Sequence, residues 1–260
     1  MRLMERVLKE AYPHLQGLTV VDGVIGISFV GVQLSNGRCH YVYLMREAIP
    51  SGDMIFQYGL QMIGMDAWEV AQWALTGAED VQRGLGVAAL NAASPYYTPN
   101  QRSTEDFYSN IQPDDTLGLI GYMPPVFQSL GDKVKQIYCF DRAIEMQGTV
   151  ENAQVYPISK QAELLPLCDK VIISATTMIN HTTEQIIAMC TKAIDIQLSG
   201  FSLPYYPEAY RDSGLTALGT LSFNERSHEL IKLASLGAGR MQMRQYTIGQ
   251  FCRLRPPFSR

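Results

Sequence analysis

A chain of 260 residues, 47% hydrophobic and 18% charged, can build one large core or two modest ones, which excludes a disordered protein. A formal charge of −4 excludes the strong basic excess of a general nucleic-acid binder. Five cysteines, spread along the chain with no CxxC pair, make neither a secreted disulfide framework nor a ready zinc cluster.

The opening MRLMERVLKEAYPH lacks the continuous apolar stretch of a signal peptide, and no run reaches the length of a membrane span. A cytoplasmic protein without membrane attachment is therefore expected. The same segment places Leu3, Val7, Leu8 and Tyr12 at helical spacing and predicts an amphipathic helix. In TVVDGVIGISFVGVQLSNGRCHYVYL, Asn36-Gly37 between β-rich runs predicts a hairpin with a type I′ turn, because both residues tolerate positive φ. Met65–Thr76 and Glu79–Ala92 predict two helices, with Asp66 and Glu79 acidic near their starts. A hairpin followed by helices predicts an α+β unit. The Pro-, Ser- and Asn-containing stretch Asn91–Asp115 predicts a junction near residue 110, giving domains 1–110 and 111–260.

Beyond the junction, strands and helices alternate. DTLGLIGYM, KQIYCFDR, Ala153–Ile158, CDKVIISA, AIDIQLSG and LTALGTLSF predict strands. PPVFQSLGDK, QAELLPL, TTEQIIAMCTKA, Pro204–Arg211 and NERSHELIKLASLGAG predict helices, the first with proline in its opening turn. That alternation predicts an α/β domain, a mostly parallel sheet in a Rossmann-like layout. After Glu229 the tail carries Lys232, Arg240, Arg244, Arg253, Arg255 and Arg260 and no acid, as expected of a solvated or intersubunit arm. Its apolar, arginine-bearing YTIGQFCRLRPPF makes a homodimer contact plausible.

Ligands of parallel α/β sheets bind outside the carboxyl ends of the strands. Three such ends draw attention: Gly118 and Gly121, Ser174 to Asn180, and Ser199-Gly200-Phe201-Ser202. In VIISATTMINHTTEQI, an apolar strand runs into Ser174, Thr176, Thr177, Thr182 and Thr183 at the start of a helix. Capping of the helix by Thr182 or Thr183 with Glu184 accounts for one or two of these hydroxyls. The remainder suit a phosphate or carboxylate. Asp141, at a strand end after Gly121, stands where dinucleotide folds keep the acid that meets a ribose hydroxyl, but GLIGYM is not GxGxxG. No GxSxG is present, and no residue pair dictates a reaction. For a metal the candidates are His40 beside Cys39, His181 and His228; Cys39 and His40 are neighbours in a predicted strand and point to opposite faces, and His181, inside the hydroxyl-rich loop, is the better candidate.

VIISATTMINHTTEQI, GLIGYMPP, YCFDR, LSGFSLPYYP and GVAALNAASPYY, in this order, resemble the bacterial and archaeal family described as "putative heavy-metal chelation". The resemblance implies an enolase N-terminal-like α+β domain packed on a Rossmann-like domain, with a ligand site in the cleft between them. It also implies Asn91, Gly121, Asp141, Thr176, Thr177, Asn180 and Ser202 as site positions, joined from the residue pattern by Ser174. Ala175 and Gly200-Phe201 depart from the family pattern. The implied function is binding of a divalent heavy metal or its chelate, in metal homeostasis. The donors offered are hydroxyls, amides and one carboxylate, whereas soft metals prefer thiolate and imidazole. Two alternatives stand beside it: an enzyme binding a nucleotide-like or phosphorylated small molecule on the Rossmann-like half, and a scaffold with a vestigial cleft.

Overall fold

The computed structural model describes residues 1–46, 49, 59–97, 108–142, 148–150, 153–223 and 228–258. The N-terminal unit opens with α1 (Leu3–Leu15), which buries Leu3, Val7, Leu8, Ala11 and Leu15. Tyr12 instead stays half-exposed and packs edge-on against Trp68, 4.9 Å between centroids. The β-rich run that follows is a three-stranded antiparallel meander, β1 (Val20–Ile25), β2 (Phe29–Leu34) and β3 (Cys39–Tyr43). The expected hairpin at Asn36-Gly37 is present between β2 and β3, but its turn differs. Only Gly37 has positive φ, at 82°, and Leu34 N–H donates to Arg38 O at 2.9 Å, so three residues close the loop and a two-residue type I′ turn does not form.

Two helices follow, α2 (Ala67–Thr76) and α3 (Asp80–Ala93). Asp66 caps α2 by accepting from Trp68 N–H at 2.8 Å. Helix α3 is buried along nearly its whole length, and two glycines explain how. A Cβ on Gly84 would stand 3.1 Å from Val30 of the sheet, and one on Gly86 would stand 2.2 Å from the backbone nitrogen of Ala74 in α2. The helix therefore lies at close range between sheet and helix, where any side chain would force a gap.

The C-terminal unit is an eight-stranded sheet of order β11-β10-β9-β8-β4-β5-β7-β6. Its strands are β4 (Thr116–Ile120), β5 (Gln136–Phe140), β6 (Gly148–Val150), β7 (Ala153–Tyr156), β8 (Lys170–Ser174), β9 (Asp195–Ser199), β10 (Ala217–Phe223) and β11 (Thr247–Arg253). Six of these, β4, β5, β7, β8, β9 and β10, run parallel, while β6 and β11 are antiparallel edges. The chain winds outward from β4 through β5 and β7, then returns to β8 on the other side of β4. The crevice between β4 and β8 is thus where the strand order reverses.

Helix α4 (Pro124–Leu130) begins with proline as expected and covers one face with Val126, Phe127 and Leu130 against Leu117, Leu119, Ile137 and Ile172. The opposite face, with Val171, Ile173, Ile196 and Leu198, shares one core with α1, α3 and the meander. Short helices α5 (Gln161–Leu164), α6 (Thr176–Ile179) and α7 (Thr183–Met189) follow β7 and β8, and α8 (Glu229–Ser235) and α9 (Arg240–Met243) precede β11.

Three expectations are corrected. Pro204–Arg211 is no α-helix but a 3-10 turn at Pro207–Tyr210, since two prolines remove the amide donors an α-helix needs. The basic tail is not a free arm: β11 pairs with β10 over seven residues, and Arg253 bonds the buried Asp195 at 2.7 Å. The helix expected over TTEQIIAMCTKA is present as α7 but ends at Met189, and a one-turn α6 that was not expected precedes it. The predicted junction, the start of the NERSHE helix and Arg260 lie in part outside the described residues. Among the described residues, no helix is long and apolar enough to cross a membrane.

Candidate functional site at the carboxyl edge

The parallel register aligns the ends of β4, β8 and β9: Ile120 pairs with Ile173, and Ser174 with Ser199. Gly121 turns away from β4 with φ of 89°, its N–H donating to Phe140 O at 2.7 Å. A Cβ at this position would stand 3.0 Å from the Ser174 Cβ, so both the positive φ and the close approach to Ser174 call for glycine. Ser174 Oγ lies 2.9 Å from Thr176 Oγ1, and Ala175 N–H donates to Ser199 O at 2.7 Å. Asp141, immediately after β5, accepts the Tyr122 N–H at 2.6 Å, which ties the β4 and β5 loops together. Gly121, Asp141, Ser174 and Thr176 therefore share one strand-end edge, all half-buried.

The other sequence-predicted residues stand elsewhere. Thr177 is buried and donates to Ser174 O at 2.8 Å, while its oxygen lies 2.8 Å from Thr183 Oγ1. Asn180 accepts from Thr182 through Oγ1 at 2.7 Å and N–H at 3.3 Å. These bonds stitch α6 to α7, so much of the hydroxyl cluster serves the double helix start. With only four residues, α6 supplies little macrodipole. His181, at φ 59°, donates its Nε2 hydrogen to Ala74 O at 2.9 Å. It borders a depression of about 150 Å³ together with Arg2, Leu75, Thr177 and Glu184.

Asn91 and Ser202 belong to a clasp between the two units. Tyr43 N–H donates to Ser202 Oγ at 3.1 Å, and Tyr205 N–H donates to Asn91 Oδ1 at 2.9 Å. Tyr206 donates to Leu90 O at 2.7 Å, Ser94 to Tyr205 O at 2.6 Å, and His40 to Phe201 O at 3.0 Å. The Phe201 ring stacks on Phe223 at 5.6 Å and meets Phe29 edge-on at 5.7 Å. The loop after β9 is thereby bound to β3 and α3, and the N-terminal unit sits over the carboxyl ends of β8 and β9. Tyr97 joins the clasp by donating to Asn91 Oδ1 at 3.1 Å, and sequence reasoning missed His40 and Tyr97 there, whereas Ser199 stands at a strand end that it named. Only strand register and long-range pairing bring these residues into place.

The fit to a directly bound heavy metal is poor. Among the described residues, no group of three His, Cys, Asp or Glu side chains lies together. Burial pushes the Cys139, Cys168 and Cys190 thiols up to about 12, which disfavours the thiolates a soft metal requires. Burial also lowers His40 to about 3, holding it neutral, and its Nε2 hydrogen is already given to a carbonyl.

A family model described as "Putative heavy-metal chelation" matches residues 105–251, and a second model of the same description matches residues 8–94. An uncharacterized protein of Methanocaldococcus jannaschii is 30% identical over 159 residues, a match covering 59% of this chain and 59% of that protein. A DUF364-family protein of unknown function from Pyrococcus horikoshii superimposes with a TM-score of 0.79 at 23% identity, covering 96% of this chain and 99% of that one. Another from Desulfitobacterium hafniense gives 0.75 at 16% identity, covering 96% and 98%. These two likenesses establish a shared fold. With more than half its length matched by the first model, the chain belongs to the family described as "Putative heavy-metal chelation".

Proposed function

We propose that this protein binds a phosphorylated, nucleotide-like small molecule at the carboxyl edge of the large sheet, beneath the N-terminal unit. The observation that carries the reading is the β4/β8 reversal itself, where a left-handed glycine at 121 abuts Ser174 and the half-buried hydroxyls of Ser174 and Thr176 lie 2.9 Å apart. Small hydroxyls and a glycine turn suit the oxygens of a phosphate, and Asp141 at the end of the second parallel strand suits a sugar diol. In this reading residues 111–260 form a Rossmann-like domain, supported by the strand order, and residues 1–110 an enolase N-terminal-like domain, supported by the meander followed by helices. The ligand site is then an interdomain cleft, with Asn91 and Ser202 holding one wall and Thr177 and Asn180 shaping the loop.

A second reading, an acidic metal chelate, is favoured by the family's description. The same hydroxyls would meet the chelator's carboxylates, and the metal would arrive already coordinated, consistent with the poor fit of the side chains to a bare ion.

Calorimetric titration with ribose 5-phosphate tests the first reading. Hydrogen bonds to a charged group contribute roughly 1.5–3 kcal/mol each, so the double variant Ser174→Ala, Thr176→Val is expected to weaken binding by about tenfold or more. Unchanged affinity in the double variant would contradict it.

A further inference from the structure

The depression of about 150 Å³ beside His181 forms where the start of α1, the end of α2 and the α6–α7 segment meet. None of Gly121, Asp141, Ser174 or Thr176 lines it, so it is separate from the phosphate site proposed above. Its floor is apolar, with Leu75 and Met178, and its polar lining is mostly of one chemical kind.

Three side chains present acceptors, each held in place through its other bond. His181 takes the left-handed conformation at φ 59°, which histidine tolerates, and gives its Nε2 hydrogen to Ala74 O at 2.9 Å. In the neutral ring Nδ1 is then an acceptor. Glu184 takes the Leu3 N–H on Oε1 at 3.1 Å and keeps Oε2 open. Thr183, only 2% exposed, has its hydroxyl 2.8 Å from that of Thr177. Thr177 spends its own hydrogen on Ser174 O, so Thr183 donates to Thr177 and keeps only lone pairs. Among the described residues, no donor meets these open acceptors, and the Arg2 guanidinium lining the same depression has no ion pair.

We infer that this depression binds a small α-amino acid with an apolar side chain. Three acceptors, one of them an anion, call for a cation with several hydrogens, which an ammonium supplies and a phosphate does not. The ligand's ammonium meets Glu184, His181 and Thr183, its carboxylate pairs with Arg2, and its side chain lies on Leu75 and Met178. The volume agrees: a cavity of about 150 Å³ admits a molecule of benzene's size, and drug-sized ligands need roughly 300 Å³ or more. Acceptors already fixed by a second bond lose little freedom on binding. The inference stands independently of the phosphorylated-ligand reading.

The full chain is titrated calorimetrically near pH 8, up to millimolar concentrations, with L-leucine and L-methionine. The leucine analogues 3-methylbutylamine, without the carboxylate, and 4-methylpentanoate, without the ammonium, serve as comparisons. Saturable binding of at least one amino acid is expected, with leucine or methionine at least tenfold tighter than either analogue. Glu184→Gln keeps an oxygen for the Leu3 N–H but removes the charge, and Arg2→Gln removes the carboxylate's partner. Each variant is expected to weaken the amino acid by about tenfold or more and to keep the melting temperature. No saturable binding of either amino acid, an analogue that binds as tightly, or undiminished affinity in either variant overturns the inference.

Discussion

Replacing Lys170 with methionine is expected to cost about 3–5 kcal/mol of folding stability. Lys170 opens β8 and is almost wholly buried, with Nζ 2.8 Å from a carboxylate oxygen of the equally buried Asp115. It also donates to Asn110 O, and Asp115 accepts from Gln112 N–H at 2.7 Å. The pair ties the amino ends of β4 and β8, the two strands that flank the crevice. Methionine fills the aliphatic stem but leaves the Asp115 carboxylate without its cation in a low-dielectric site. Urea denaturation of Lys170→Met measures the loss, and the double variant Asp115→Leu, Lys170→Met should recover most of it, since a buried ion pair is often matched by well-packed apolar residues. A loss below about 1 kcal/mol in the single variant would show that water reaches the pair.

Acid is expected to loosen the clasp. His40 is buried against the Tyr97 and Phe223 rings, 5.0 and 5.1 Å between centroids, and near Arg38. Burial first, and Arg38 second, hold its folded-state pKa at about 3 against an ordinary 6.5. Between those two values the unfolded chain takes up a proton that the folded chain refuses. Stability from this residue is therefore complete above about pH 6.5 and declines as the pH falls, by up to ~1.4 kcal/mol per unit, until the folded form protonates near pH 3. Glutamine at position 40 keeps an N–H for Phe201 O and does not titrate. Chemical denaturation at pH 7.5 and pH 5 should show the unsubstituted protein losing roughly 2 kcal/mol more than His40→Gln. Equal losses would mean that the ring is hydrated or that other groups set the acid limb.

Local pattern carried most of the secondary structure. Local spacing and composition marked α1, the β2–β3 hairpin, α3 and the parallel strands, and Asp66 and Pro124 marked two helix starts, while the third strand of the meander was not distinguished. The failures have physical causes. Proline in Pro204–Arg211 outweighed a helical pattern, and Asn36 was not needed at positive φ once the loop took three residues. The tail's arginines looked solvated because Asp195, the partner of Arg253, lies 58 residues away. At the site, Gly121, Asp141, Ser174 and Thr176 were legible because strand ends and glycine turns are local features. The burial of Thr177 and the engagement of Asn91 and Ser202 in the clasp were not, because they depend on the path of α6 and on Tyr205 and Tyr43.

The central claim is that the carboxyl edge takes an oxygen-rich anionic ligand and does not coordinate a bare metal through protein side chains. Its most direct test is a melting-temperature series on metal-stripped protein with zinc or cadmium alone, ribose 5-phosphate alone, and both together. A ligand that binds only the folded state adds about 2.7 kcal/mol at a hundredfold excess over Kd, which shifts the melting temperature by several degrees. The account predicts stabilisation by ribose 5-phosphate without metal, and none by either metal alone. Stabilisation by zinc or cadmium alone, with no response to ribose 5-phosphate, would contradict it.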